Sequence, residues 1–238
     1  MIEGFKIPKV TFRIRTGDEV ETDGGCAIGG EWHNATTDSY FKGKRVVIFS
    51  LPGAFTPTCS SQQLPGFEKE YNSIKDMGID EIYCISVNDS YVMNAWADRM
   101  QIQNVKMIPD GSGNFTRFMG MLIGKNHLGF GNRSWRYMAV VNDGAVEKWW
   151  QEPGINNEGT DDDPYVESTP DNMIGYLKLE PELAEIILDE INDLGNLIIA
   201  KDYLGGVYLP EYNFNGIGFM MPGQGYQIKV LNNDTLQY

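Results

Sequence analysis

The chain has 238 residues, 42% of them hydrophobic, and carries a formal net charge of −14 at pH 7. Its length accommodates one full domain with an apolar core and a small addition. The acidic balance argues against binding to nucleic acid or to an anionic membrane surface, because contacts with phosphate groups need clusters of lysine and arginine.

The cysteines and the N-terminus indicate the compartment. Three cysteines, Cys26, Cys59 and Cys84, form no close pairing motif, as is typical of a reducing environment. Residues 1–15 lack the apolar centre of a signal peptide, and no stretch is long and apolar enough to cross a bilayer, so we expect a cytoplasmic protein. With two histidines and no C-x-x-C pair, a metal site has little support, and we expect no bound cofactor.

The first predicted elements precede any candidate chemistry. Residues 7–15 alternate weakly between apolar and polar side chains and predict an edge strand. Residues 16–30 are rich in glycine and polar side chains, which predicts a hairpin and loop that contains Cys26. Residues 36–41 then indicate a short capped helix.

The stretch around Cys59 is the most informative part of the sequence. Residues 46–51 are an apolar, β-branched run of the kind found in a strand buried on both faces. A turn rich in Pro and Gly leads to Cys59, and residues 60–63 can open a helix. Unpaired N–H groups and the positive end of a helix dipole favour the thiolate at such a junction. The sequence therefore nominates Cys59 as a reactive thiol, although most free cysteines are simply small buried residues.

Strands and helices alternate through the middle of the chain. Strands are predicted over residues 81–87, 105–108, 136–141 and 145–150. Helices are predicted over residues 67–77, 89–100, 115–121 and 170–177. Cys84 falls within the first of these strands, and we interpret it as structural because burial disfavours ionisation of a thiol. The alternation predicts an α/β fold with a central mixed sheet flanked by helices.

The last 60 residues differ in character, with nine acidic and two basic side chains and no cysteine. Residues 181–191 place Leu183, Ile186, Ile187 and Ile191 on one apolar face, and short strands are predicted over residues 197–200, 207–209 and 226–230. Their apolar content predicts an ordered module rather than a disordered tail. We therefore predict a main domain, residues 1–178, and a small β-rich extension, residues 179–238, of unassigned role.

The stretch around Cys59 reads PGAFTPTCS at residues 52–60 and LPGF at 64–67. Further motifs follow in order: ISVND at 85–89, PDGSG at 109–113, RSWRY at 133–137 and VVNDG at 140–144. In sequence and order these motifs resemble those of the peroxiredoxins, and of their type V (redoxin) subfamily in particular, in which the first motif is the active-site loop. The resemblance covers about residues 7–177 and implies a thioredoxin-like fold there.

The resemblance implies a thiol-dependent peroxidase that reduces hydrogen peroxide and organic hydroperoxides. The Cys59 thiolate attacks one peroxide oxygen, releases water or an alcohol, and becomes a sulfenic acid. Negative charge develops on the leaving oxygen, so donors placed along that line lower the barrier. The resemblance assigns this role to Arg136, the Thr56 hydroxyl and the N–H groups of Thr58 and Cys59, while Pro52 is expected to shield the sulfenate from water.

Further residues are assigned around that centre. Arg133 corresponds to a less critical basic position of the family. Phe55 and Phe130 are candidates for an apolar mouth that admits alkyl hydroperoxides. The three aspartates at 161–163 are expected to be solvated.

One departure from the family concerns regeneration. Several relatives carry a resolving cysteine in the C-terminal loop region, whereas residues 152–171 contain none. This predicts a one-cysteine mechanism in which an external thiol, glutathione with glutaredoxin or thioredoxin, reduces the sulfenate. Cys26 is the alternative resolving residue. We also expect a homodimer through the face of the active-site loop, with Trp96 and Trp135 supplying exposed aromatic surface.

Two other functions are weighed against the peroxidase. A scaffold or partner-binding protein would use the C-terminal module on a retained fold, although the intact Pro52, Thr56, Cys59 and Arg136 favour catalysis. A thiol–disulfide oxidoreductase is disfavoured because Thr56 stands three residues before Cys59, where that chemistry needs a second cysteine.

Overall fold

A computed structural model describes residues 3–21, 27–160, 162–177, 182–193, 195–221 and 226–232. The chain divides into two compact units, Met1–Met173 and Ile174–Tyr238. No helix within the described ranges is long and apolar enough to cross a membrane. Cys26 and the predicted domain boundary at residues 178 and 179 lie outside the described residues.

The first unit contains strands and helices in alternation. Its strands are β1 (Thr11–Glu21), β2 (Ala27–Thr36), β3 (Arg45–Ser50), β4 (Glu81–Ser86), β5 (Lys106–Pro109), β6 (Leu122–Gly124), β7 (Asn132–Ser134), β8 (Tyr137–Asn142) and β9 (Ala145–Gln151). Its helices are α1 (Thr37–Phe41), α2 (Leu64–Lys69), α3 (Tyr71–Asp76), α4 (Ser90–Arg99) and α5 (Asn114–Phe118), and α6 (Pro170–Leu177) spans the boundary of the units. A π-helical turn, Cys59–Gln63, directly precedes α2.

Five strands form a central mixed sheet in the order β5-β4-β3-β8-β9. The middle strand, β3, is parallel to β4 and antiparallel to β8, and its residues 46–50 are all buried. This burial on both faces is the reason for the continuous apolar run in the sequence. The predicted α/β class and all five predicted strands of the sheet are confirmed, with ends that differ by at most one residue.

The hairpin predicted over residues 16–30 is confirmed, and its paired strands are longer than expected. β1 and β2 pair antiparallel from Thr11 opposite Thr36 to Glu21 opposite Ala27, so that strand replaces much of the expected loop. Cross-strand pairing overrides the low strand propensity of the glycines here. The helix expected over 67–77 starts earlier, because Pro65 is tolerated in a first turn, and it is divided at Glu70 into α2 and α3.

The second unit is small and rich in strands. It contains β10 (Glu182–Leu183), α7 (Ala184–Ile187), α8 (Asp189–Asp193), β11 (Leu197–Lys201), β12 (Val207–Leu209), β13 (Phe214–Asn215), β14 (Phe219–Met220) and β15 (Gln227–Val230). An antiparallel sheet has the order β13-β12-β11-β15. The prediction of an ordered, β-rich module is confirmed. The predicted apolar face is partly wrong, because Ile186 is 58% exposed and the buried helical face is formed by Ala184, Leu188 and Ile191.

Candidate active site

The loop of residues 51–58 connects β3 to the π-helical turn and ends at Cys59. Asn88 anchors it, since its Oδ1 accepts hydrogen bonds from the Ala54 N–H at 3.0 Å and from the Ser86 hydroxyl at 2.7 Å. The carboxyl ends of parallel strands lie at the same edge of a sheet, which brings the connections after β3 and β4 together. Phe55 has a φ of +61°, a left-handed conformation that is uncommon for a residue with a side chain.

The helical segment after the loop is held from two sides. The rings of Phe49 on β3 and Phe67 on α2 stack with centroids 4.2 Å apart. The Trp96 indole N–H on α4 donates to Ser60 Oγ at 3.0 Å. Within the π-helical turn, the Leu64 N–H donates to the Cys59 carbonyl, five residues back. Such turns are rare overall but occur often at functional sites, and no sequence pattern indicated this one.

Cys59 and Arg136 lie in contact in the interior. Arg136 Nη1 donates to Cys59 Sγ at 3.5 Å, and both residues are buried, with Cys59 0% exposed and Arg136 1% exposed. Arg136 immediately precedes β8, which pairs with β3, so the sheet brings together residues 77 positions apart. Burial alone would lower the pKa of Arg136, but the Cys59 thiolate and the Asp163 carboxylate raise it above its ordinary value. The guanidinium therefore stays charged beside the Cys59 sulfur.

The remaining donors of the Arg136 guanidinium also have partners. Nη1 donates to Gln63 Oε1 at 2.6 Å, and Nε donates to the Pro164 carbonyl at 3.1 Å. Nη2 forms an ion pair with Asp163 Oδ1, and the Tyr165 ring centroid lies 5.6 Å from the guanidinium carbon. The Asp163 side chain is 40% exposed, so the expected solvation of the aspartates at 161–163 holds for it, but Asp163 also pairs with the buried Arg136, which the sequence did not indicate. Asp161 lies outside the described residues.

Three other predicted site residues lie in the loop itself. The Thr56 hydroxyl donates to the Gly53 carbonyl at 2.7 Å. Thr58, next to Cys59, has helical backbone angles of φ −60° and ψ −38°. Pro52 is buried at the start of the loop. The catalytic roles that the resemblance implies for them stay predictions.

The two phenylalanines expected at the mouth differ in exposure. Phe55 is 55% exposed, whereas Phe130 is half-buried, and the Arg133 guanidinium carbon lies 5.8 Å from its ring centroid. Arg133 Nε is 3.5 Å from the position that a Cβ on Gly53 would occupy. Arg133 therefore borders the active-site loop at Gly53, with Phe130 beside its guanidinium, and the contact of Phe55 and Phe130 with substrate stays a prediction.

Cys84 is a core residue. It lies within β4 with 0% exposure, and burial, together with the nearby Cys59, raises the pKa of its thiol well above the usual range. The structural interpretation of Cys84 is confirmed. In the part of the chain that the structure describes, no group of three or more His, Cys, Asp or Glu side chains is placed to hold a metal ion.

Sequence reasoning missed several residues around Arg136. Gln63 and the segment 163–165 were not singled out, nor was Glu152, which is 0% exposed. The one available signal is a single acidic residue, Glu152, two residues after the end of the predicted strand 145–150. A charge at a strand end is usually solvated, so that signal does not distinguish a buried carboxylate.

Comparison with known proteins identifies the family. The redoxin family model matches residues 5–166. A peroxiredoxin of Sinorhizobium fredii is 52% identical over 177 residues, which are 73% of this chain and 90% of the relative. The chain is a peroxiredoxin of the redoxin family. As a peroxiredoxin, it is a thiol-dependent peroxidase that uses peroxide substrates and thiol reductants.

Solved peroxiredoxin structures have the same fold. The 1-Cys peroxiredoxin described as an antioxidant protein of Plasmodium falciparum is 36% identical with a TM-score of 0.66, over 75% of this chain and 100% of that chain. Reduced Prx3 of Vibrio vulnificus, solved in complex with hydrogen peroxide, is 29% identical with a TM-score of 0.62, over 75% and 99%. The thioredoxin-like fold of the matched part of this peroxiredoxin is thus confirmed.

Proposed function

We propose that this peroxiredoxin reduces hydrogen peroxide and organic hydroperoxides through Cys59 by a one-cysteine mechanism. The observation that carries the proposal is the buried contact between Cys59 Sγ and Arg136 Nη1 at 3.5 Å. The other described cysteine, Cys84, is enclosed in β4 and is a poor nucleophile. Two of the similar proteins support the proposal, since one is described as a 1-Cys peroxiredoxin and the other was solved with hydrogen peroxide.

In the proposed reaction, the Cys59 thiolate attacks the nearer peroxide oxygen in line with the O–O bond. A sulfur–oxygen bond forms as the O–O bond breaks, and the leaving oxygen takes the electron pair and a proton and departs as water or an alcohol. Arg136 stabilises the developing negative charge, together with the N–H groups of Thr58 and Cys59. The Thr56 hydroxyl joins them by turning its single proton from the Gly53 carbonyl to the leaving oxygen. Pro52 limits the access of water to the sulfenic acid, and Phe55 and Phe130 contact the alkyl part of organic substrates.

Regeneration uses an external thiol. One thiol attacks the sulfenic sulfur and releases water to leave a mixed disulfide, and a second thiol releases Cys59 as the external disulfide forms. Glutathione with glutaredoxin, or thioredoxin, is the proposed reductant. Peroxide consumption is measured with each system separately, with Cys59→Ser as the inactive control. Turnover by Cys59→Ser with either system would contradict the assignment of the nucleophile.

The one-cysteine proposal is tested by mass spectrometry after one equivalent of hydrogen peroxide. We expect a sulfenic acid on Cys59, trapped by dimedone, in the absence of added thiol. A disulfide between Cys26 and Cys59 would instead show that Cys26 resolves the sulfenic acid.

We also propose a cytoplasmic homodimer. The prediction that Trp96 and Trp135 supply exposed aromatic surface to the dimer is wrong, because they are 0% and 2% exposed. Their indole N–H groups donate to Ser60 Oγ and to the Glu152 carbonyl. The homodimer proposal therefore depends on the family resemblance alone. Light scattering on the purified chain tests it, since the mass of a monomer would contradict it.

A further inference from the structure

Glu152 is a fully buried carboxylate directly after β9, and the peroxidase mechanism above does not use it. Four donors point at it: the backbone N–H groups of Val166, Glu167 and Ser168, at 2.8–3.2 Å, and the Ser168 hydroxyl, at 2.7 Å. An ionised carboxylate can only accept hydrogen bonds, so this set of donors suits it. Because a buried carboxylate is unfavourable without such bonds, Glu152 fixes the segment 166–168.

The residues just before this segment hold Arg136. Asp163 forms the ion pair with the guanidinium, Pro164 accepts its Nε–H at 3.1 Å, and Tyr165 lies against it at 5.6 Å. Asp163 has a φ of +54°, a left-handed conformation that persists in a residue with a side chain only where surrounding contacts impose it. The hydrogen bonds to Glu152 begin three residues later and supply such contacts.

A second connection runs through side chains. Ser168 Oγ accepts from Gln63 Nε2 at 3.4 Å, and Gln63 Oε1 accepts from Arg136 Nη1 at 2.6 Å. The Glu152 main chain takes part as well, since its N–H donates to the Arg136 carbonyl at 3.2 Å. All of these side chains, with that of Cys59, are at most 1% exposed. A continuous buried network therefore joins the Glu152 carboxylate to the Cys59 sulfur.

We propose that Glu152 is a positioning residue of the peroxidase site, which holds the segment 163–168 and Gln63 where they place Arg136 beside Cys59. Glu152 does not touch the reacting atoms and acts through the guanidinium. The inference concerns only the oxidation of Cys59 by peroxide. It is therefore independent of the one-cysteine mechanism and of which thiol reduces the enzyme.

The test compares the full-length protein with Glu152→Gln, which keeps the size of the side chain but turns an N–H donor toward the donors of the segment. The readouts are the rate constant of Cys59 oxidation by hydrogen peroxide, from stopped-flow fluorescence, and the pH profile of Cys59 alkylation by iodoacetamide. We expect a decrease of about 10- to 100-fold in the rate constant, as for a small displacement of a catalytic group. We expect the alkylation profile to move to higher pH, because the thiolate loses its nearby cation.

A matched control lies on β9, five residues before Glu152. Glu147 on β9 pairs with Arg45, at the opposite end of β3 from the Cys59 loop. Glu147→Gln makes the same chemical change there, and we expect wild-type values for both readouts. Wild-type values in Glu152→Gln as well would overturn the proposal.

A double variant distinguishes positioning from a general loss of structure. If Glu152 acts through Arg136, adding Glu152→Gln to Arg136→Gln causes no further decrease in the rate constant. A further decrease equal to that seen in the wild-type background would refute the proposal. Should Glu152→Gln fail to fold, Ser168→Ala keeps the carboxylate but removes its link to Gln63. We expect a smaller decrease in the same direction from Ser168→Ala, and a wild-type rate would count against the proposal.

Discussion

Arg136 lies between two anions, the buried Cys59 sulfur and the Asp163 carboxylate, whose side chain is 40% exposed. Its Nη1 faces the Cys59 sulfur and its Nη2 faces the Asp163 carboxylate, and both anions act to raise its pKa against the opposing effect of burial. Deprotonation of the guanidinium is therefore excluded over the working pH range. In the proposed reaction, its charge acts first on the thiolate and then on the leaving oxygen, without reorganisation between the two steps.

This arrangement gives a prediction for the two neighbouring arginines. Arg136→Gln is expected to lower the rate constant of Cys59 oxidation by hydrogen peroxide by about 100- to 1,000-fold, the usual cost of one preorganised donor. Arg133→Gln is the matched control. Arg133 borders the loop at Gly53, but its guanidinium lies against the Phe130 ring rather than in a hydrogen bond described with the Cys59 sulfur. We expect it to have a much smaller effect. Stopped-flow measurement decides, and equal losses in both variants would contradict the assignment of Arg136.

The buried thiol of Cys84 gives a prediction about stability and pH. Its raised pKa means that the folded chain keeps a proton that the unfolded chain loses above about pH 8.5, so this group's contribution to the free energy of unfolding falls as pH rises. Between pH 7.5 and 9.5 we expect the wild type to lose about 1.4 kcal/mol relative to Cys84→Val. Urea unfolding at both pH values, with reductant present, measures the difference. Parallel curves for the two proteins would contradict it.

The elements of the central sheet could be predicted from local sequence, whereas the groups around the sulfur could not. The apolar run 46–50 reads as a buried strand because both of its faces are covered, and Cys59 is marked by its position after that strand. The π-helical turn carries no distinct side-chain pattern. The partners of Arg136 at 163–165 are about 27 residues away in sequence and are brought in by a loop, whose path depends on the buried Glu152.

The stacked pair of Phe49 and Phe67 gives a prediction about the helix that carries the site. Phe67→Ala is expected to lower the free energy of unfolding by about 3–5 kcal/mol, because it removes a fully buried ring and leaves a cavity between β3 and α2. Phe118→Ala on α5 is the control, since that ring is 53% exposed, and we expect a change within about 0.5 kcal/mol. Denaturant unfolding of both variants measures this. A loss below about 1 kcal/mol in Phe67→Ala would show that the stack does not secure the helix.

The chain combines a domain that matches the redoxin family with a second compact unit at its C-terminal end. The Sinorhizobium fredii peroxiredoxin is matched over 90% of its length by 73% of this chain. The residues that surround the Cys59 sulfur, from Pro52 to Ser168, all lie in the first unit. The second unit has its own apolar core, formed by Ala184, Leu188, Ile191, Leu197, Ala200, Tyr208 and Met220. Catalysis and the extension are therefore expected to be separable.

Deletion of residues 179–238 tests that separation. We expect the shortened chain to fold and to keep the wild-type rate constant of Cys59 oxidation by hydrogen peroxide, because the redoxin family model matches residues 5–166, all of which remain in it. The rate constant is measured by stopped flow, and the molar mass of both chains by light scattering. A retained rate constant with a changed number of chains per particle would assign the extension to association, in line with a partner-binding role. A folded but slow shortened chain would show instead that the extension contributes to the peroxidase site, because the residues placed around the sulfur are all still present in it.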